Sequence, residues 1–118
     1  METSEVECDM KGNGICPLPL ENMLDIIRKK WSLSLIIAIG NFGKLHFNAI
    51  HDKIKDRHTK KITQKILSAR LKELENFELV RRERYTNYPF MVEYSLTKKG
   101  RNFYEILLTF GRFNEKKK

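Results

Sequence analysis

Apolar residues recur along the first two thirds of the chain with the spacing of helices. Between residues 20 and 27 they fall at i, i+3, i+4 and i+7, the stripe of an amphipathic helix, and two prolines just before it suit a helix start. The next segment, from Leu33 to Ile39, is apolar on nearly every side, which is typical of a central, buried helix. The apolar stripes of a short third helix and a longer fourth one are Phe47, Ile50 and Ile54, and Leu67, Leu71 and Leu74. We expect the fourth helix to run from about Ile62 to Asn76.

After the fourth helix the period of the pattern changes from 3.6 to 2. Apolar and polar side chains alternate from Phe90 to Leu96, which predicts a strand with one buried face. Residues 79–86 are the expected partner strand, and Asn87-Tyr88-Pro89 is the expected turn between the two. The pattern therefore predicts four helices followed by a β-hairpin.

A fifth helix is predicted near the end of the chain. Thr97 is a suitable N-cap for it, because a threonine hydroxyl at this position accepts a hydrogen bond from an otherwise unpaired backbone N–H. The apolar positions of this helix are Phe103, Tyr104, Ile106, Leu107, Leu108 and Phe110. Because the stripe is wider than a small domain needs for its own core, we expect part of it to face a second copy of the chain.

With 118 residues the chain has the size of one domain with a modest core. Residues 1–15 are acidic and then glycine-bearing, and we expect them to form a flexible arm. Residues 16–113 should form the folded domain, and residues 114–118 a disordered basic tail. The longest apolar run is too short to cross a bilayer, and the acidic start differs from a signal peptide. We therefore expect a cytoplasmic protein without a membrane partner.

The charge of the chain indicates a polyanionic partner. The net charge is +8 and the pI is near 9.6, which favours nucleic acid first and an anionic membrane surface second. Basic residues cluster between Lys53 and Lys65, and again at Arg81, Arg82 and Arg84 of the predicted hairpin. The fourth helix adds a polar face of short or basic side chains opposite its leucines. The major groove of B-DNA, about 12 Å wide, admits one such helix.

Two helices joined by a turn, the second with a basic polar face, and a following hairpin are the parts of a winged helix-turn-helix. The predicted fold class is thus α+β, mostly α: a winged helix-turn-helix with a two-stranded wing and a C-terminal dimerisation helix. We expect Gln64, Lys65 and Ser68 to read the base edges of double-stranded DNA. The residues expected to hold the DNA backbone are Lys60, Lys61, Thr63, Lys72, Arg82 and Arg84.

The sequence resembles the HxlR-type branch of the MarR-like winged-helix regulators over about residues 16–112. The matching pieces, in the family's order, are Cys16-Pro17, Lys30-Trp31, Phe47-Asn48, Ile62-Thr63-Gln64-Lys65, Leu71-Lys72-Glu73-Leu74-Glu75, Pro89 with Val92-Glu93-Tyr94-Ser95-Leu96-Thr97, and Gly100-Arg101. The resemblance implies a transcriptional regulator that acts as a homodimer through its first and last helices.

For such a dimer we expect the apolar residues of these two helices to divide between core and partner. Phe103, Ile106, Leu107 and Phe110 would face the core of their own chain, and Leu20, Leu24, Tyr104 and Leu108 would face the partner. The chain departs from the family's pattern twice. The connection from Lys55 to Lys61 is longer than the usual compact turn, and Glu78 stands where the family tends to have glycine after the recognition helix.

Cys16 immediately precedes the first predicted helix, where backbone amides and the helix dipole favour a thiolate. The resemblance implies that this cysteine senses oxidants or electrophiles in some family members, and the alternative is a buried, inert cysteine. Two cysteines are too few for a disulfide framework. We expect them to be thiols in a reducing compartment, with Cys8 as a resolving partner at most.

No other chemistry is indicated by the sequence. Five residues of metal-binding type, Cys8, Cys16, His46, His51 and His58, lack the paired spacing of a metal site. There is no phosphate-binding glycine loop and no nucleophile elbow, so we expect neither an enzyme nor a cofactor. Two alternatives to a sequence-specific regulator remain: a winged-helix protein-interaction module, and a weakly specific architectural DNA-binding protein.

Overall fold

The structure is a computed structural model that describes residues 14, 16–56, 58–84 and 91–115. Its elements are α1 (Pro17–Arg28), α2 (Ser32–Phe42), β1 (Lys44–His46), α3 (Phe47–Lys53), α4 (Gln64–Asn76), β2 (Val80–Arg84), β3 (Val92–Leu96) and α5 (Lys98–Arg112). The predicted order of helices and hairpin is confirmed, and so is the α+β, mostly α fold class. Most of the predicted arm at residues 1–15 lies outside the described residues. So do residues 116–118 of the predicted tail, Phe90, and the predicted turn Asn87-Tyr88-Pro89.

Local sequence explains where the helices begin. Pro17 occupies the first turn of α1, where its missing N–H would have had no helical partner. Thr63 and Thr97 cap α4 and α5 by accepting hydrogen bonds from the backbone N–H groups of Ile66 (3.2 Å) and Gly100 (2.9 Å). The predicted cap at Thr97 is therefore confirmed, and α4 begins two residues later than its apolar pattern predicted.

The three strands form one antiparallel sheet in the order β1-β3-β2. β2 and β3 are the predicted hairpin, with Val80 opposite Leu96 and Arg84 opposite Val92. The sequence prediction missed β1, because a strand of three residues is too short to show a period of two. β1 pairs with β3 and leads directly into α3, so the sheet is tied to the helical part of the fold.

The core is built around α2 and α4. Leu35 and Ile39 of α2 are fully buried, and so are Leu67 and Leu74 of α4. Burial of each such side chain contributes about 1.5–3 kcal/mol. The prediction of a central, buried helix is confirmed for Leu35 and Ile39 and is wrong for Leu33, which is exposed. α2 is therefore a central helix with one open edge.

The start of α5 lies directly against the segment that joins α4 to β2. The N–H of Thr97 donates to the carbonyl of Leu79 (3.1 Å), and its hydroxyl donates to the carbonyl of Glu78 (2.6 Å). Gly100 is so close that a Cβ atom at this position would be 1.9 Å from the carbonyl oxygen of Leu79. Glu78 has a φ of +64°, so a non-glycine residue adopts the left-handed conformation here.

The structure divides the apolar residues of α5 differently from the sequence-based prediction. Tyr104, predicted to face a partner, packs beside Gly40 of α2 and donates a hydrogen bond from its hydroxyl to the side-chain oxygen of Asn41. Ile106 and Phe110, predicted to face the core, are 61% and 70% exposed. The close approach at the start of α5 fixes the rotation of this helix, and that rotation turns Tyr104 inward and Ile106 outward.

Candidate nucleic-acid interface

α4 has one buried face and one exposed face. Leu67, Leu71 and Leu74 are buried on the core side. The residues exposed on the opposite side are the predicted ones: Gln64, Lys65, Ser68, Ala69 and Lys72. Small, polar and basic side chains on a rigid helix meet the requirements of a major groove, because they offer amide, hydroxyl and ammonium groups to base edges without steric bulk.

The chain just before α4 is held in place. Ile62 is buried, and the hydroxyl oxygen of Thr63 accepts the hydrogen bond from Ile66 that caps the helix. A threonine hydroxyl that accepts one hydrogen bond still has its own hydrogen to donate. Thr63 can therefore cap α4 and donate to a phosphate oxygen at the same time.

Arg70 connects α4 to the turn between α1 and α2. Its Nε donates to the carbonyl of Lys30 (3.1 Å), and its Nη1 lies 3.3 Å from Oε2 of Glu73. The ammonium of Lys29 lies 3.1 Å from the same carboxylate. Exposed ion pairs contribute little stability one by one, but this set links α4 to the turn between α1 and α2. Sequence reasoning missed it, because Arg70 and Lys30 are 40 positions apart and show no common pattern.

Arg82 and Arg84 lie on the face of the wing that continues the core. In the register of the hairpin Arg82 is opposite Tyr94 and Arg84 is opposite Val92, so these four side chains share one face of the sheet. Arg82 also lines a hollow together with Ser68 of α4. The structure thus brings the wing arginines and the polar face of α4 to the same side of the molecule.

The other face of the wing has a different charge. Glu83 is opposite Glu93 across the hairpin, and Arg81 is opposite Ser95. Glu93 is in turn opposite His46 of β1, whose Nε2 lies 3.7 Å from the Glu93 carboxylate. Carboxylates therefore lie on the face of the wing that points away from Arg82 and its neighbours.

The cations predicted to contact DNA carry uncompensated charge. They are Lys60, Lys61, Lys65, Lys72, Arg82 and Arg84, and all six are exposed. Within the part of the chain that the structure describes, none of them forms an ion pair. The cations behind α4, by contrast, are paired with carboxylates. Unpaired cations on one side of a small protein create a positive potential there, which attracts a polyanion.

Residues 55, 56 and 58–61 of the long connection between α3 and α4 form an ordered turn. Lys55 and Lys61 form an antiparallel β-bridge at its base. Between them, Oδ1 of Asp56 accepts hydrogen bonds from the backbone N–H groups of His58 (2.8 Å) and Lys60 (2.9 Å). Sequence reasoning described this segment only as a connection longer than the usual compact turn and missed the role of Asp56. An aspartate at the start of a short polar segment is the signal that could have identified the turn.

The carboxylate of Asp56 is stabilised in its charged form. Its pKa lies below the ordinary value of 3.8, chiefly because the N–H of Lys60 donates to it. Partial burial opposes this shift, and the N–H of His58 and the ammonium of Lys30 reinforce it. The Lys30 ammonium is 3.3 Å from Oδ2. Asp56 therefore keeps its negative charge at neutral pH and links the turn to the start of α2.

Cys16 is the N-cap residue of α1. The expectation of a thiol at this position is wrong for this structure, because Cys16 is disulfide-bonded. The sequence contains one other cysteine, Cys8, which lies outside the described residues. Helix amides favour the thiolate, and the thiolate is the form that takes part in disulfide exchange, so the start of α1 is suited to thiol–disulfide chemistry.

Neither a metal centre nor a membrane span is present in the described part of the chain. Over residues 14, 16–56, 58–84 and 91–115, no group of three or more His, Cys, Asp or Glu side chains is arranged to hold a metal ion. None of the helices in these ranges is long and apolar enough to span a bilayer.

Comparison with known proteins assigns the chain and its fold to a family. The sequence model of the HxlR-like helix-turn-helix family matches residues 26–118. The chain belongs to this family. It is 34% identical over 118 residues to the uncharacterized HTH-type transcriptional regulator YdeP of Bacillus subtilis (strain 168), covering 100% of this chain and 88% of YdeP.

Two solved structures illustrate the likeness. The reduced form of the transcriptional regulator YodB from B. subtilis has a TM-score of 0.68 and 32% identity, covering 84% of this chain and 90% of YodB. The redox regulator HypR in its oxidized form has a TM-score of 0.68 and 36% identity, covering 85% of this chain and 97% of HypR. The winged-helix fold inferred from the sequence is confirmed by these neighbours.

Membership in the HxlR-like family confirms the broad functional prediction. Proteins of this family are helix-turn-helix transcriptional regulators, which bind DNA and are not enzymes. The chain is therefore a DNA-binding transcriptional regulator of the HxlR type.

Proposed function

We propose that this HxlR-like protein binds specific sites on double-stranded DNA as a homodimer, with α4 in the major groove and the wing beside it. The observation that carries the proposal is the exposed polar face of α4, flanked by cations that have no ion-pair partner among the described residues. Gln64, Lys65 and Ser68 read base edges. The phosphate contacts come from Lys60, Lys61, Thr63, Lys72, Arg82 and Arg84. A protein that acts on DNA in this way works in the cytoplasm.

Selection of bound duplexes from a random pool tests this proposal directly. We expect an enriched sequence, and binding to it should weaken steeply with salt. If about 6 phosphates are neutralised per protomer, the slope of log K against log salt is near −5 for each protomer and about twice that for the dimer. Absence of binding at or below about 50 mM salt refutes DNA binding. Equal binding to all duplexes supports the architectural alternative instead. A pure protein-interaction module is disfavoured, because the Gln64–Lys65–Ser68 face offers no large apolar anchor.

The proposed homodimer forms through α1 and α5. Leu20 and Leu24 of α1 are exposed, and so are Ile106 and Phe110 of α5, while Leu108 is half-buried at the border of this surface. Large apolar side chains exposed together on a small protein mark an interaction surface. A two-fold pair would place its recognition helices about 34 Å apart, which matches an inverted repeat with half-sites one helical turn apart.

Sedimentation at micromolar concentration tests the dimer. We expect a dimeric mass for the wild type and a monomeric mass for Ile106→Glu, because the new carboxylate would be buried in an apolar contact. Lys98→Gln, in the first turn of the same helix, changes the net charge by the same one unit and should leave the dimer intact. A monomeric wild type refutes the assembly and leaves the proposed DNA-reading face to be judged separately.

We further propose that the oxidation state of Cys16 alters DNA affinity. Two observations support this: Cys16 is disulfide-bonded, and it begins α1, which carries part of the proposed dimer surface. Oxidation of two thiols to a disulfide releases two electrons and two protons, which convert hydrogen peroxide to water. The structures of HypR, in oxidized and reduced forms, are of a redox regulator.

DNA binding after reduction with dithiothreitol and after treatment with peroxide tests the redox response. We expect the two states of the wild type to differ in affinity, and Cys16→Ser to show one affinity under both conditions. Equal affinity of the wild type in both states would make Cys16 a structural residue only.

A further inference from the structure

In the turn formed by residues 55, 56 and 58–61, the carboxylate is nearly buried and the lysine side chains are exposed. Its one carboxylate, Asp56, is 11% exposed and is directed at backbone N–H groups of the turn and at Lys30. The side chains of Lys55, Lys60 and Lys61 are exposed, and in the described ranges none of them has an ion-pair partner. The turn therefore presents only positive charge to its surroundings.

This turn is held in a fixed relation to the recognition helix. The ammonium of Lys30 lies 3.3 Å from Asp56, while the carbonyl of Lys30 accepts the hydrogen bond from Arg70 of α4 (3.1 Å). One residue thus contacts both the turn and the helix. The backbone around it is constrained as well, because Trp31 has a φ of +84° and its ring lies beneath the Lys30 ammonium at 5.0 Å.

We propose that residues 55, 56 and 58–61 form a phosphate arm, a third DNA-binding element beside α4 and the wing, which contacts backbone phosphates flanking the groove that α4 enters. Lys55, Lys60 and Lys61 are its cations among these residues, and Asp56 and Lys30 are positioning residues that hold it. The inference rests on the proposed DNA binding. An arm ordered before binding avoids the loss of loop and side-chain entropy that a mobile lysine loop would undergo on the DNA.

The proposed arm predicts a specific change in the salt dependence of DNA binding. Each phosphate contact contributes about 0.9 to the slope of log K against log salt. Replacing both Lys55 and Lys60 by alanine should therefore reduce the slope by about 1.8 per protomer and by twice that in a dimer. The preferred sequence should stay the same, because phosphate contacts carry no base information. Hydroxyl-radical footprints should lose protection at the edges of the site only.

Lys98→Ala with Arg101→Ala is the matched control for this double variant. Both control residues are exposed on α5 and remove the same two charges outside every proposed DNA contact. We expect the control pair to keep the footprint of the wild type and nearly all of its slope. If the Lys55 and Lys60 variant matches the control pair in slope and footprint, the arm does not exist.

Replacing Asp56 distinguishes a charge effect from a positioning effect, because the two predict opposite changes in DNA affinity. Removing a carboxylate raises the net charge by one unit, and charge alone would then strengthen DNA binding. If Asp56 positions the arm, Asp56→Ala should weaken binding instead, by about eightfold at about 0.1 M salt for each phosphate that the arm no longer reaches. Asp52→Ala, which removes an exposed carboxylate of α3, should show the strengthening. Asp56→Asn, which keeps an acceptor oxygen, should lie between Asp56→Ala and the wild type.

The outcomes separate this inference from the function on which it rests. A wild type that binds no duplex at about 50 mM salt refutes the proposed function and the arm with it. A wild type that binds, together with an Asp56→Ala variant that is folded by circular dichroism and binds more tightly, refutes the arm alone.

Discussion

Gly100→Ala tests the contact that sets the rotation of α5. The added Cβ would lie 1.9 Å from the carbonyl oxygen of Leu79 and 2.9 Å from its carbon. A carbon and a carbonyl oxygen approach to about 3.3 Å at the closest, so α5 must move by roughly 1.4 Å. That shift also breaks the hydrogen bond from Thr97 to Leu79.

The cost of this shift follows from its parts. Overpacking costs about 1–3 kcal/mol, and the broken hydrogen bond costs about 1 kcal/mol more. The higher helix propensity of alanine relative to glycine offsets about 1 kcal/mol of this loss of stability. We expect a net loss of about 1–3 kcal/mol, measured as a lower midpoint of urea unfolding, with a fall in Tm of about 4–12 °C.

Gly111→Ala is the matched control, since it makes the same substitution in the same helix. A Cβ atom at this position would meet nothing within 4 Å. We expect this variant to be more stable than the wild type by about 0.5 kcal/mol. Because Gly111 borders the proposed dimer surface, all proteins are compared at one concentration. Equal stability of the Gly100→Ala and Gly111→Ala variants would show that Leu79 does not restrict position 100.

Three further predictions concern DNA reading, backbone strain and pH. Gln64→Ala should cost about 1–3 kcal/mol in binding to the selected duplex and relax the preference at one base pair, whereas Arg84→Ala should weaken all duplexes alike; identical profiles in a competition assay would contradict the assigned roles. Glu78→Gly should raise the free energy of unfolding by about 0.5–1 kcal/mol, since relief of left-handed strain exceeds the entropy gained by the unfolded chain; a less stable variant in urea would show that φ of +64° is not strained. Because its folded pKa is lowered, Asp56 stabilises the protein above its ordinary pKa of 3.8, and that stability is lost as the pH falls through the lower folded value. Asp56→Asn should therefore flatten the acid limb of the stability curve, and an unchanged limb would count against this role.

The parts of the fold that the sequence predicted are those with a repeating pattern. The leucines of α4 recur over several helical turns, and the alternation in β3 changes the apolar period from 3.6 to 2. Both elements, and the faces they expose, could therefore be predicted from spacing alone. The polar face of α4 was predicted correctly because it is the complement of the buried stripe. Thr97 was identified because an N-cap is a local signal, confined to one turn of helix.

The parts that the sequence did not predict depend on contacts between distant segments. The rotation of α5, and with it the inward direction of Tyr104, is set by the approach of Gly100 to Leu79. The link between α4 and the turn after α1 depends on Arg70 and Lys30, and no sequence period connects these two. Such contacts arise only when the chain has folded, so periodicity contains no information about them.

The register of the wing gives its two sides different charges, and these charges affect how the wing can approach a duplex. Arg82 and Arg84 lie on one side of the ribbon, and the Glu83–Glu93 pair lies on the other. A wing that approached the phosphates upside down would bring two carboxylates against them and be repelled. In the proposed complex the two carboxylates disfavour this inverted approach, and Arg81, on the same side, offsets them only in part. Inserting one residue into β2 before Arg82 would move Arg82 and Arg84 to the side of Glu93, because side chains alternate along a strand. Glu83 would move to the opposite side, and the side that carried only arginines would then carry a carboxylate.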